Sequence, residues 1–286
     1  MPTRREFIKS SIWLGAALAL PGVLMAGIRK RQLLILHTND FHSRMESFPA
    51  DHPKYPGQGG IARLKTLIDE ARKECDSHLL LDCGDVFQGT PYFNTFGGIP
   101  EYRWMNKAGY TASTLGNHDF DLGIEHLADL ITRQAAFNTV NCNYDLQETP
   151  LKNLIKPYVV ARRAGIKIGI TGLGINPEGL IPEHLCKGVK YNDPVAAVQA
   201  TANHLKQKEH CRLVIVLSHL GYEYKTEQID DLKLAAKTRN IDMILGGHTH
   251  TFLDAPVTVK NTDGKDVIVN QAGWAGLRLG KITLEV

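Results

Sequence analysis

Short apolar runs alternate with amphipathic stretches along most of this chain. In the first half, Leu33–Leu36, Leu79–Leu81, Ala112–Leu115 and Thr139–Cys142 read as buried strands, being short and bounded by polar or turn residues. Between the first two, apolar residues at 61, 64, 67, 68 and 71 recur at helical spacing and predict a helix from Ile61 to Cys75. Further helices are expected near 100–108 and from about 123 to 135, whereas Pro49, Pro53, Pro56, Gly57 and Gly59 make residues 43–59 a loop. In the second half, Tyr158–Arg162 and Ile166–Leu173 flank Ala164-Gly165 and predict a hairpin. A helix over about 194–209, the strand Leu213–Leu217, a polar helix over about 228–239 and the strand Ile241–Leu245 follow. Three strand-like segments close the chain, near 256–260, 266–270 and 279–286. Strands alternating with helices predict an α/β layered fold with mainly parallel central strands.

The polar residues that end these apolar runs carry the chemistry. Asp40-Phe41-His42, Gly84-Asp85, Gly116-Asn117-His118-Asp119, Ser218-His219 and Gly247-His248-Thr249-His250 each follow a predicted strand. In layered α/β sheets, ligands gather just beyond the carboxyl ends of the strands. Asp40 and His42 are two apart, as are His248 and His250, and residues at that spacing in an extended segment point to one side. Each pair is therefore expected to converge on one metal. Asp85 follows a glycine that lets the backbone turn sharply, and its two oxygens make it the candidate to bridge two metals. Asn117 adds an amide oxygen and His219 an imidazole.

This mixed nitrogen and oxygen set has no obligatory thiolate and suits two divalent ions such as Mn, Fe or Zn better than Ca or Mg. Two such ions about 3.5–4 Å apart would lower the pKa of a shared water, clamp phosphoryl oxygens and offset developing charge. His118, beside Asn117, is the candidate general acid or transition-state stabiliser, and Asp121 is positioned to orient it through the other ring nitrogen. His37, His52, His78, His126, His184, His204 and His210 read as structural or surface residues. The five cysteines, odd in number and without a close-pair motif, read as small hydrophobes rather than a disulfide framework.

Charge adds a boundary. The net charge of +3 belongs mostly to residues 1–27, where Arg4, Arg5 and Lys9 outnumber Glu6; the remainder carries about +1, which is no nucleic-acid footprint. Those 27 residues run from a basic start into the apolar stretch Ile12–Ala26, interrupted by Pro21 and too short for a comfortable membrane span. The paired arginines followed by Glu6-Phe7-Ile8-Lys9 resemble a twin-arginine export signal. Export to the periplasm or cell envelope is the expectation. Membrane contact would come only through this segment, should it stay uncleaved.

The motifs also resemble a known family. Leu36-His37-Thr38-Asn39-Asp40-Phe41-His42, Gly59-Gly60-Ile61-Ala62-Arg63, Gly84-Asp85-Val86-Phe87-Gln88-Gly89-Thr90-Pro91, Leu115-Gly116-Asn117-His118-Asp119-Phe120-Asp121, Ser218-His219-Leu220-Gly221 and Gly246-Gly247-His248-Thr249-His250 are similar to the N-terminal metallophosphatase domain of the 5′-nucleotidase family, within the calcineurin-like phosphoesterases. The resemblance implies a four-layer α/β/β/α sandwich, with residues 28–286 as one catalytic domain. It implies one metal held by Asp40, His42, Asp85 and His250, a second by Asp85, Asn117, His219 and His248, and a catalytic dyad of His118 and Asp121. His250 stands where some relatives carry glutamine, and Asp119 where many carry glutamate. Members typically continue into a second domain that holds the nucleoside with arginines and stacked aromatics. This chain ends at Val286, so a separately encoded partner supplying that domain is an expectation. The activity implied is hydrolysis of phosphate monoesters, 5′-nucleotides foremost. The alternatives are a phosphodiesterase or sugar-nucleotide pyrophosphatase, a hydrolase of non-phosphate esters resembling an exported sulfur-oxidation family, or a non-catalytic metal-binding subunit.

Overall fold

Strands buried on both faces set the layering. The computed structural model describes residues 31–286; residues 1–27, on which the expectation of an export signal rests, lie outside them. The strands are β1 (Gln32–Thr38), β2 (His78–Asp82), β3 (Ala112–Ser113), β4 (Asn138–Thr139), β5 (Tyr144–Asp145), β6 (Tyr158–Arg163), β7 (Ile166–Leu173), β8 (Lys190–Tyr191), β9 (Leu213–Ser218), β10 (Met243–Gly246), β11 (Val257–Lys260), β12 (Asp266–Gln271) and β13 (Gly280–Glu285). The helices are α1 (Ile61–Lys73), α2 (Pro91–Phe96), α3 (Ile99–Ala108), α4 (Ile124–Gln134), α5 (Pro194–Gln207) and α6 (Asp231–Lys237).

Two sheets face each other. One has the order β13-β1-β2-β3-β4, parallel except for β13, and the other the order β11-β12-β10-β9-β7-β6, parallel except for its two edges. Odd positions Leu33, Ile35, Leu79 and Leu81 point inward to meet Ile215, Leu217, Met243 and Leu245 of the other sheet. Even positions Leu34, Leu36 and Leu80 point outward onto Leu64 and Ile68 of α1, Met105 of α3 and Leu127 of α4. On the far side, Val214, Val216 and Ile244 pack against Val198 and Leu205 of α5 and Leu234 of α6. Each fully buried aliphatic side chain contributes about 1.5–3 kcal/mol. The result is the four-layer α/β/β/α sandwich.

The differences from the sequence reading are local. β3 and β4 are two residues each, shorter than expected, although Thr114 N and Val140 N at their ends still donate to Asp82 O and Ser113 O of the neighbouring strands. Helix α2 is only six residues, too short to show a period, although Pro91 at its start and the left-handed Gly97 at its end punctuate it. The two-stranded sheet β5-β8 was not foreseen either. Helix α6 begins later than expected because the Asp230 side chain accepts from Lys233 N and caps it. All five cysteines are free, and no helix among the described residues is long and apolar enough to cross a membrane.

His37 ties the two sheets together. It is fully buried on β1, and its Nε2 lies 2.9 Å from the Asn270 amide nitrogen of β12. Burial pushes its imidazole down from 6.5 to about 4. The unfolded chain thus takes a proton that the folded form refuses, so the stability His37 contributes is complete above pH 6.5 and lost as the pH falls towards 4. The effect is worth at most about 3 kcal/mol. Urea unfolding should therefore show wild type losing up to about 3 kcal/mol relative to His37→Gln between neutral pH and pH 4. A difference that ignores pH would contradict this.

Candidate metal centre

The parallel strands of both sheets deliver their carboxyl ends to one rim, and every candidate ligand follows such an end. Beyond β1 and β10 the backbone is not extended, as the sequence reading supposed. Asp40, His42, Asp85, His248 and His250 all adopt left-handed φ, at 50°, 51°, 55°, 72° and 52°. Non-glycine residues held there cost of order 1 kcal/mol or more each, and such strain concentrates at functional sites. Phe41, between Asp40 and His42, drives into the core and stacks on Trp104 at 5.1 Å, which turns its two neighbours towards the rim.

Two groups of side chains converge. Asp40, His42 and His250 form one, and Asp85, His219 and His248 the other, with donor atoms in each within 4.8 Å of one another. The pair Asp40 and His42 stays together, but His248 and His250 separate into different groups. Neither pair has the extended backbone that would put i and i+2 on one side, since all four residues carry left-handed φ, and the two pairs end differently. Asn117 joins the second group, its Oδ1 lying 2.9 Å from His248 Nδ1.

Asp85 stands between the groups. Its Oδ1 accepts from His118 N at 2.8 Å, while its Oδ2 lies 3.2 Å from His219 Nε2 and 3.9 Å from His42 Nε2. The oxygen facing both groups is therefore Oδ2 alone. The backbone also fixes the ring states. His42 Nδ1 lies 3.2 Å from the carbonyls of Phe87 and Gln88, and His219 Nδ1 lies 2.6 Å from Cys83 O. Carbonyls only accept, so Nδ1 of each carries the proton and Nε2 faces the centre, the arrangement that outer partners impose on ligating histidines.

These residues fit divalent metals. His42 Nε2 and His250 Nε2 face each other at 2.9 Å, and the buried Nε2 of His219 faces the carboxylates of Asp85 at 3.2 Å and Asp40 at 4.0 Å. Burial holds His42 below its ordinary range, and burial together with nearby His219 holds His248 down to about 4, so both are neutral donors at physiological pH. His219 is the exception. Burial opposes its protonation, but the Asp85 carboxylate outweighs burial and raises it to about 10. The buried carboxylates thus demand a compensating positive charge at this spot, which a divalent ion meets.

His118 stands at the edge, 41% exposed, with Nδ1 2.9 Å from Asp121 Oδ2. The Asp121 hydrogen bond raises its pKa above the ordinary value, against a smaller effect of burial. Its ring centroid is 5.4 Å from that of His42, so the other ring nitrogen is close to the convergent groups without belonging to either.

Sequence reasoning missed two supports. Asp119 accepts from Gly116 N at 2.7 Å, Asp85 N at 3.2 Å and Val86 N at 3.0 Å, clamping the loop that carries Asp85. A carboxylate three residues after a turn glycine was the available signal. Trp274 stacks on His250 at 5.4 Å and 3°, and nothing in the local sequence marks it. Gly84 is required on two counts. Its φ is +86°, and a Cβ there would sit 2.5 Å from Gly116 N. Gly84→Ala is expected to destabilise the protein by about 2–4 kcal/mol in chemical denaturation. A cost below about 0.5 kcal/mol would mean the loop has room that this packing denies.

The chain is similar to known proteins over most of its length. The calcineurin-like phosphoesterase family model matches residues 33–252. Rat (Rattus norvegicus) 5′-nucleotidase is 34% identical over 293 aligned residues, covering 96% of this chain and 50% of that protein. Among solved structures, the 5′-nucleotidase precursor from Thermus thermophilus superposes with a TM-score of 0.79 at 35% identity, over 88% of this chain and 51% of that one. The NAD nucleotidase of Haemophilus influenzae gives 0.76 at 30%, over 88% and 47%. The chain spans about half the length of these relatives. It belongs to the calcineurin-like phosphoesterases, with 5′-nucleotidases among its relatives.

Proposed function

We propose that this chain hydrolyses phosphate monoesters, 5′-nucleotides foremost, with two divalent metals held by the convergent groups. The observation that carries the reading is Asp85 Oδ2, which faces both groups while His118 and its partner Asp121 stand beside them. Asp40, His42, Asp85 and His250 would hold one ion, and Asp85, Asn117, His219 and His248 the other. Bound there, two such ions supply a water of lowered pKa and positive charge for the phosphoryl oxygens. The chain's own part is the rest. His118, whose protonated form the Asp121 hydrogen bond favours, donates a hydrogen bond or proton from Nε2 to the departing oxygen. Asp119 and Gly84 keep Asp85 in its narrow position, and the backbone carbonyls hold His42 and His219 with Nε2 inward.

The basic-then-apolar segment 1–27 supports an exported enzyme, on the twin-arginine route. Replacing Arg4 and Arg5 by lysine should leave the protein inside the cell on fractionation; undiminished export would contradict that route. A second reading, cleavage of a pyrophosphate bond, draws on the likeness to an NAD nucleotidase. Phosphate release from an aryl phosphate, 5′-nucleotides, NAD and a sugar nucleotide, with Mn²⁺ present, separates the two. Turnover of monoesters with little of the dinucleotide supports the first reading, and the reverse order favours the second.

A further inference from the structure

We propose that Glu101 is a positioning residue for one of the two metal groups, holding the turn that carries His42 from behind. This inference rests on the two-metal reading. Asp40, His42 and Ser43 all sit at left-handed φ, at 50°, 51° and 53°. Non-glycine residues persist in that region only where the surroundings over-determine them. Neighbouring backbone supplies part of the hold, since His42 N donates to Asp85 O at 3.0 Å and Ser43 N to Val86 O at 2.9 Å. The rest comes from α3.

Glu101 and Trp104 lie three residues apart on α3 and so share a face, which meets the turn on both sides of His42. Trp104 stacks on Phe41, the residue before it. Ser43, the residue after it, donates from Oγ to Glu101 Oε1. Thr90 closes the arrangement, donating from Oγ1 to Ser43 O at 2.7 Å, with Ser43 Oγ 2.9 Å from Thr90 Oγ1. Glu101 is fully buried, and its second oxygen, Oε2, has no hydrogen-bond partner among the described residues. A buried carboxyl left half-satisfied costs stability that an apolar residue of similar size would not. The contact that gives it a use is the one to Ser43. His42 belongs with Asp40 and His250, whereas His219 and His248 follow β9 and β10 in the other sheet. Loss of Glu101 should therefore fall on one metal and spare the other.

Mn²⁺ binding to the full-length chain, read by calorimetry, tests this. His248→Ala leaves the group of Asp40, His42 and His250 to bind, and His250→Ala leaves the other group. Glu101→Ala added to His248→Ala should weaken binding by about 10–100-fold, as loss of an outer partner of a metal ligand does. Added to His250→Ala, it should leave the affinity nearly unchanged. Glu101→Gln, whose amide oxygen still accepts from Ser43, should restore the affinity. Ser43→Ala removes the same hydrogen bond with a smaller change, and it should reproduce the selective loss even if Glu101→Ala does not fold. Equal weakening in both backgrounds, no weakening in either, or Glu101→Gln binding as poorly as Glu101→Ala overturns the inference. The two-metal reading fails differently. Wild type would then take up fewer than two Mn²⁺ per chain, and that outcome removes the inference with it.

Discussion

Asp85→Asn is expected to lower the occupancy of both metals together and to reduce turnover by more than a hundredfold. The carboxylate has one oxygen spent on His118 N, and the other lies 3.2 Å from one ligand group and 3.9 Å from the other, so no neighbour can replace it. An amide keeps the size but removes the charge that two adjacent cations require, and it can turn an NH₂ towards them. Loss of a mere supporting residue typically costs about 10–100-fold in metal affinity or activity, and a shared ligand should exceed that. The readout is metal per chain by elemental analysis, measured beside phosphate release. Loss of one metal with the other intact would refute bridging by Asp85.

His118→Ala should have the opposite signature, with turnover falling by about 10²–10⁴-fold and metal content staying near wild type. The imidazole belongs to neither convergent group, and its Nδ1 is committed to Asp121. On the proposed reading the dyad would act on the leaving group, not on the ions. Asp121→Asn should cost less than His118→Ala, because it weakens the hydrogen bond that favours protonated His118 while leaving the ring in place. Equal loss of metal and activity in His118→Ala would make His118 a ligand and the assigned role wrong.

Much of this was legible before any coordinates. Runs such as Leu33–Leu36 and Leu213–Leu217 stand out because both faces of a sandwiched parallel strand are buried, leaving no polar interruption. The five polar clusters were visible for the related reason that each ends such a run. Backbone conformation was not legible. All four of Asp40, His42, His248 and His250 sit in left-handed turns that residue spacing does not encode, so spacing could not say that the first pair stays together while the second parts. Asp119 looks like one more acid beside Asp121, and only the fold brings three backbone amides to it. Trp274 comes from the tail of the chain to stack on His250, a long-range contact with no local trace.

The most direct test of the central claim is a Mn²⁺ titration of the metal-stripped full chain, with bound metal and phosphate release from 5′-AMP followed in the same samples. Two ions bound per chain, with turnover rising only as the second is taken up and absent in Asp85→Asn, is the predicted result. Full turnover at a single bound ion, or two ions bound with Asp85 replaced, would contradict a shared two-metal centre.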